Sequence, residues 1–413
     1  MSLRVLYITN EDRFVGGSSL SLETLLSCVG DDVEPILLFR EAGPVRDRFA
    51  ALGYRCLVVP YYRASFQATG FSRVLRWLPH LLGRAMVQCR CVRRVRRELA
   101  GSVDLVHTNS ATVDIGPRIA RALGVPHVWH IREYPDLGLG LRMFPSMAAW
   151  RRKVLASDAV VAITPGLLDY LAASDLRAKG FGSRNRRGAV PATPGGLVQT
   201  ARLPHPFATP VSGSGSIFSC IPDAVLPASA ATLLLPKAPE VLFMAGTLAP
   251  HKHPDEAMRI FARAALPPQY RLVFAGAVDD DYRLQLTALA VTLGIGDRLE
   301  FRPFAADVRP LLSRAAAVLV CTPYEGMGRV AVEALFYGCP VVARNSGGSR
   351  DVLAPGPYGT LYDTEETAAS ALAAVVAAFP EAQVRAAAAY AAATFTPAAF
   401  APRLLALYRS LLP

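Results

Sequence analysis

Short apolar runs alternate with helix-patterned stretches along this chain, and they do so in two separate series. Runs at 4–9, 35–39, 55–59, 105–108, 127–131 and 159–163 make the first. Runs at 241–245, 271–275, 299–302, 317–320, 341–343 and 359–362 make the second. Helical patterns fall between them, at about 19–28 and 116–123, then at about 254–265, 282–293, 308–313, 330–337 and 370–378. Strands this short, separated by helices, fit a parallel sheet with crossover helices. A length of 413 residues exceeds one ordinary core. With 52% hydrophobic and 19% charged residues, the chain can fill two interiors and is not globally disordered. The expected fold class is α/β: two doubly wound halves facing across a cleft, with ligands at the carboxyl ends of the strands.

The stretch 322–352 reads TPYEGMGRVAVEALFYGCPVVARNSGGSRDV. It carries Glu325 in a polar loop after an apolar strand, and Glu333 on the helix that follows. Eight residues at helical rise span about 12 Å. That matches a hexose ring, a diphosphate and a ribose in line. A carboxylate at each end can accept hydrogen bonds from sugar and ribose hydroxyls. The backbone N–H groups of Gly326, Met327, Gly328 and Arg329 open the helix, where a diphosphate is welcome.

This block resembles the nucleotide-sugar signature of retaining glycosyltransferase family 4, the glycosyl transferases group 1, whose fold is GT-B. The matching elements are the Glu-x7-Glu pair, the Gly-x-Gly after its first Glu, Gly-Cys-Pro-Val-Val, and Gly347-Gly348. Gly347-Gly348-Ser349-Arg350-Asp351 is similar to the family's Gly-Gly-x-x-Glu, with Asp for Glu. The resemblance implies an acceptor-side domain over 1–175, a donor-binding domain over 236–395, and between them a stretch, 176–235, read here as an irregular linker or insertion. From Leu176 to Pro222 that stretch holds no Asp or Glu. The family usually completes its first domain there with a short strand and an Asn-Gly turn; 216–223 (SIFSCIPD) stands in that place without the Asn-Gly. The final stretch, 396–413, is apolar at helical spacing. It either caps the second domain or crosses back to the first, as terminal helices of this fold commonly do.

Gly246-Thr247-Leu248, then His251-Lys252-His253, is similar to the family's Gly-Arg-Leu and Lys-Gly, whose two cations flank the donor diphosphate. Lys252 matches the Lys; Thr247 replaces the Arg, and Arg329 is a candidate substitute. Gly16-Gly17 falls where the family keeps a glycine loop beside the diphosphate. His130 resembles the family's first-domain histidine near the transferred sugar. Arg132 and Glu133 are candidates to hold the acceptor or to pair with each other, and His107 and Asn109 are second-rank candidates on that side. Arg309, Cys321 and Tyr324 are candidates to line the nucleotide pocket. On this reading His130, Lys252 and Glu325 carry the chemistry, with no metal and no cofactor beyond the nucleotide-diphosphate sugar itself.

Net charge is +11, unevenly spread. Between Phe71 and Arg97 lie Arg73, Arg76, Arg84, Arg90, Arg93, Arg94, Arg96 and Arg97 with no acid. This reads as a basic amphipathic helix pair suited to an anionic membrane surface, or as a solvated face. No nucleic-acid motif accompanies the charge. No apolar run is long enough to span a bilayer, and MSLRVLYITN reads as a strand rather than a signal peptide. Seven cysteines without CxxC pairs suit a reducing compartment. The expectation is a cytoplasmic glycosyltransferase, peripheral at the inner membrane face, moving a hexose to a glycan or lipid-linked acceptor in polysaccharide or glycolipid synthesis. The alternatives are a GT-B nucleotide-sugar isomerase and a non-catalytic nucleotide-sugar-binding scaffold.

Overall fold

The computed structural model describes residues 2–10, 17–67, 77–178, 209–210, 217–225, 233–305 and 307–412. Two parallel sheets carry the architecture. The first has eight strands in the order Arg55–Val58, Val33–Phe39, Leu3–Ile8, Leu105–Thr108, His127–Ile131, Ala159–Ala162, Ile217–Cys220 and Thr209–Pro210, the last antiparallel. The second has six, in the order Leu299–Arg302, Arg271–Ala277, Ala238–Thr247, Ala315–Val320, Val341–Arg344 and Thr360–Tyr362. In each sheet the first strand in sequence lies inside, with the next two on one side and the later ones on the other. That order puts a topological switch point between Leu3–Ile8 and Leu105–Thr108, and another between Ala238–Thr247 and Ala315–Val320.

The central strands are apolar because both faces are covered. Ala315–Val320 is buried at every position, and so is His127–Ile131. One core lies under the helix Trp77–Leu99, where Cys91, Val95 and Leu99 recur every fourth residue and pack with Leu6, Leu38 and Val106. A larger core runs without a break from Trp129 and Val160 of the first sheet, through Leu167, to Val318, Val320 and Ala331 of the second. The two halves therefore share apolar interior.

Two expectations need correction. Among its described residues the arginine-rich stretch is a single helix, Trp77–Leu99, where a pair was expected; Arg73 and Arg76 lie outside the described residues. Pro79 is accommodated because the first-turn N–H groups of a helix have no intrahelical partner. The stretch 176–235 is not all linker. Its first residues finish the helix Pro165–Ala178, and Ile217–Cys220 pairs in parallel with Ala159–Ala162 as the seventh strand of the first sheet. Four strand residues among Gly, Ser and Pro leave too short a run to read.

The terminal helix, Pro397–Ser410, lies against the first half. Phe400, Leu404 and Tyr408 share a core with Val5, Tyr7, Leu22 and Leu26. The chain thus passes between the halves twice. The passes touch, since Val225 N–H donates to the Phe395 carbonyl at 2.7 Å. Among the described residues no single helix is long and apolar enough to cross a membrane.

Candidate functional site

The second half presents three loops at the carboxyl ends of adjacent strands. After Ala238–Thr247, a 3-10 turn Pro250–Lys252 ends at His253 with φ 56°, and aims Lys252 across the switch point. After Ala315–Val320, the loop 321–328 carries Glu325 and ends at Gly328, whose φ of 78° starts the helix Arg329–Phe336. After Val341–Arg344 comes Gly347, with φ 54°; a Cβ there would sit 3.0 Å from the Pro323 carbonyl oxygen. The glycines of the motif are thus packing requirements. Gly338 of Gly-Cys-Pro has φ 67°, and a Cβ there would fall 2.1 Å from the Leu233 carbonyl oxygen.

These loops converge. Lys252 Nζ lies 2.5 Å from Glu325 Oε1. The Glu325 carbonyl accepts the Gly348 N–H at 2.8 Å. Arg329 Nε donates to Glu333 Oε1 at 2.8 Å, one helical turn on. Burial raises the Glu333 pKa, against the pull of Arg329. Arg329 Nη1 and the Ser349 hydroxyl are buried with no partner among the described residues. Gly246 and Thr247 stand exposed at their strand end. Arg329 is thus tied to Glu333 through Nε.

The first half supplies a buried polar cluster. Arg132, only 7% exposed, donates from Nε to Asn109 Oδ1 at 2.9 Å, pairs through Nη1 with Asp223, and approaches His130 Nδ1 at 3.3 Å. Glu133 accepts from the Ser110 hydroxyl and from the N–H groups of Ala111 and Arg132, so it is not the side-chain partner of Arg132. Burial raises the Glu133 pKa. His107 Nδ1 meets the Tyr408 hydroxyl at 2.7 Å, and that hydroxyl lies 3.1 Å from Tyr7. Burial first, and the Arg132 charge second, hold His107 and His130 well below the usual imidazole pKa.

His130 is wholly buried, with Arg132 Nη2 3.3 Å from its Nδ1 and no hydrogen-bond partner for its Nε2 among the described residues. His107 and Asn109 are equally enclosed. Asn109 and His130 hold Arg132, and His107 packs edge-on against His130 with ring centroids 5.3 Å apart. Asp223 and Tyr408 escaped the sequence reading: they lie 91 and 301 residues from their partners Arg132 and His107. Gly16 lies outside the described residues, whereas Gly17 begins the helix Gly17–Val29. Among the described residues, no three His, Cys, Asp or Glu stand together as a metal site.

The halves meet at this place. A Cβ on Gly326 would fall 1.8 Å from the Arg132 carbonyl oxygen, and the Thr164 hydroxyl donates to the Gly326 carbonyl at 3.1 Å. Gly166 N–H donates to Asp351 at 2.8 Å, and the rings of Tyr134 and Tyr324 lie 6.0 Å apart. The loop bearing Glu325 is therefore seated on the strand end bearing Arg132.

Residues 228–393 match the family model described as Glycosyl transferases group 1, and residues 23–180 match the Glycosyl transferase 4-like domain. A D-inositol 3-phosphate glycosyltransferase of Mycolicibacterium smegmatis is 36% identical over 141 residues, 33% of this chain and 32% of that protein. D-inositol 3-phosphate glycosyltransferase 1 of Catenulispora acidiphila is 36% identical over 195 residues, 44% of this chain and 46% of that protein. The matches thus span less than half the length of these curated relatives. Among solved structures, Anabaena HepE in complex with UDP and glucose superposes with a TM-score of 0.69 at 17% identity, covering 99% of this chain and 100% of that one. Sucrose-phosphate synthase from Thermosynechococcus elongatus gives 0.66 at 18% identity, covering 99% of each. These two likenesses are of fold.

Proposed function

We propose that this chain, which belongs to the GT-B glycosyltransferases of the family 4 type, transfers a hexose from a nucleotide-diphosphate sugar to an acceptor hydroxyl with retention of configuration. The observation that carries this reading is the Lys252–Glu325 contact at 2.5 Å. It joins the loops after the two strands that flank the switch point of the second sheet, where an open α/β sheet binds its ligand. Glu325 would hold the sugar hydroxyls and Glu333 the ribose. Lys252 would neutralise the diphosphate as the bond from C1 to the phosphate oxygen breaks. The unspent donors of Arg329, which lies between the two acids in sequence, and of Ser349, which packs beside Gly328, favour an anionic group there. The acceptor oxygen bonds to C1 on the face the phosphate leaves, and its proton passes to the departing phosphate. No enzymic nucleophile or metal is needed on this route, and positioning supplies much of the rate. Arg132, fixed by Asp223, Asn109 and His130, would form the acceptor-side wall.

The relatives named for D-inositol 3-phosphate, and the HepE complex with UDP and glucose, support a uridine-linked hexose donor and a polyol or glycan acceptor as first probes. Arg90, Arg93, Arg94, Arg96 and Arg97 are exposed on the helix Trp77–Leu99 and support a peripheral position on the inner, anionic face of a membrane, in envelope polysaccharide or glycolipid synthesis. A thermal-shift screen of nucleotide sugars, followed by transfer assays with the stabilising donor, tests the activity. Stabilisation by one donor and product of retained configuration are expected; a chain that no nucleotide sugar stabilises sinks the reading. A second reading, donor binding without transfer, draws on Thr247, which leaves Lys252 without the second cation of the family pattern. Donor affinity with neither hydrolysis nor transfer would favour it, and an epimer formed from donor alone would indicate an isomerase.

A further inference from the structure

A cavity of about 160 Å³ opens in the first half, lined by neither Lys252 nor Glu325. Arg84 and Gln88 of the helix Trp77–Leu99 line it, with Asp114, Arg118, Phe144 and Lys153. A water needs about 10–15 Å³ by this kind of measure, so a phosphate group fits. The lining holds three cations and one carboxylate. That carboxylate, Asp114, is 6% exposed and already serves two of the cations: Arg84 Nη2 at 2.9 Å and Lys153 Nζ at 2.6 Å. Arg84 Nη1 donates to the Arg63 carbonyl at 2.5 Å, and its guanidinium lies 4.8 Å from the Phe144 ring and 5.9 Å from the Tyr62 ring. These contacts fix the plane of the fork and use two of its five N–H groups. Lys153 keeps two N–H groups beyond its pair with Asp114. Arg118, exposed at the rim, donates to the Cys89 sulfur at 3.4 Å and to no other side chain among the described residues.

We propose that this cavity binds a phosphate group carried by the acceptor. An excess of two positive charges, a held guanidinium and spare convergent donors are what a phosphate dianion recruits. The connection to the cleft is covalent and short. Asn109 and Ser110, which bind Arg132 and Glu133, begin the loop that ends at Asp114. Five residues reach at most about 18 Å, so a phosphate seated here leaves a sugar- or polyol-sized body to reach the Arg132 wall. That the occupant is the acceptor rests on the transfer reading above; that it is a phosphate rests on this pocket alone. A soluble phosphomonoester and a phospholipid headgroup offer the same chemistry.

The test titrates the full chain, with UDP present to fill the donor cleft, with inorganic phosphate and glycerol 3-phosphate by calorimetry, and with phosphatidic acid or phosphatidylcholine vesicles by flotation. Arg118→Gln and Lys153→Gln leave the Arg84–Asp114 pair in place, so the fold should hold. Each should weaken phosphate binding about tenfold or more, as loss of a charge-assisted hydrogen bond does, while Arg385→Gln, on the distant helix Glu381–Thr394, should change nothing. Variant-sensitive binding of the soluble probes assigns a soluble phosphate. Variant-sensitive binding of phosphatidic acid vesicles alone assigns a headgroup. No binding of any phosphate probe, or binding indifferent to Arg118 and Lys153, overturns the proposal even if donor transfer is found. Variant-sensitive phosphate binding in a chain that transfers no sugar would leave the pocket standing and remove only the acceptor.

Discussion

Lys252 and Glu325 touch at 2.5 Å across 73 residues of sequence, each at the carboxyl end of a strand that borders the other's. Each is the other's counter-ion. Lys252→Met should lower sugar transfer about 100-fold or more, the scale of losing one preorganised charge-stabilising group. Glu325→Gln should lower it comparably by loosening the sugar. Both should melt near wild type, since the pair is partly open to solvent. Steady-state kinetics check this, and unchanged turnover in Glu325→Gln would refute the assignment.

Gly326 is where the halves come closest, and any Cβ there collides with the Arg132 carbonyl oxygen. Gly326→Ala must push the Glu325 loop off its seat by the order of an ångström. Such a displacement costs about 100-fold in rate, while each half keeps its own core. Calorimetry should find nucleotide affinity in Gly326→Ala within a few-fold of wild type, with kcat strongly reduced. Equal loss of both would mean the contact serves binding alone.

His127 is buried between the hydroxyls of Thr108 and Ser157, and burial depresses its pKa to about 3. The unfolded chain takes up this proton near pH 6.5, whereas the folded chain resists it. The contribution is therefore complete above about pH 6.5 and lost as pH falls towards 3, at up to about 1.4 kcal/mol per pH unit. Glu133, Glu333 and Asp351, whose pKa values burial raises, act with the opposite sign. The difference between His127→Gln and wild type isolates the histidine. Urea midpoints at pH 7.5 and 5 should show the variant gaining on wild type in acid, and parallel shifts would contradict the buried neutral ring.

Tyr408 joins the terminal helix to the first sheet through His107 and Tyr7. Tyr408→Phe keeps the packing and strips a buried partner from His107 Nδ1, so it should cost about 1–3 kcal/mol. Chemical denaturation measures it. A loss below the error of the method would show that the imidazole finds another donor.

Strand and helix order was legible because period and punctuation are local: all twelve expected strand runs overlap an observed strand by most of their length, and the Glu-x7-Glu block lies at the carboxyl end of the second sheet. What stayed hidden depends on pairs remote in sequence. Nothing local marks Asp223 as the partner of Arg132, or Tyr408 as that of His107. The enclosure of His130 was hidden for the same reason: a histidine at a strand end looks solvent-facing until a neighbouring guanidinium is seen beside it. The cavity at Arg84 gathers residues from the stretches 84–88, 114–118 and 144–153, none of which carries a pattern alone.

Two crossings of the backbone, tied together where Val225 N–H meets the Phe395 carbonyl, restrict how the lobes move. A single tether would let them tumble; a pinned pair acts as a hinge and leaves rotation about itself as the soft motion. Swinging open on that pivot would lift Gly326 from Arg132 and unseat Asp351 from Gly166 in one stroke, admitting ligand from the side opposite the axle.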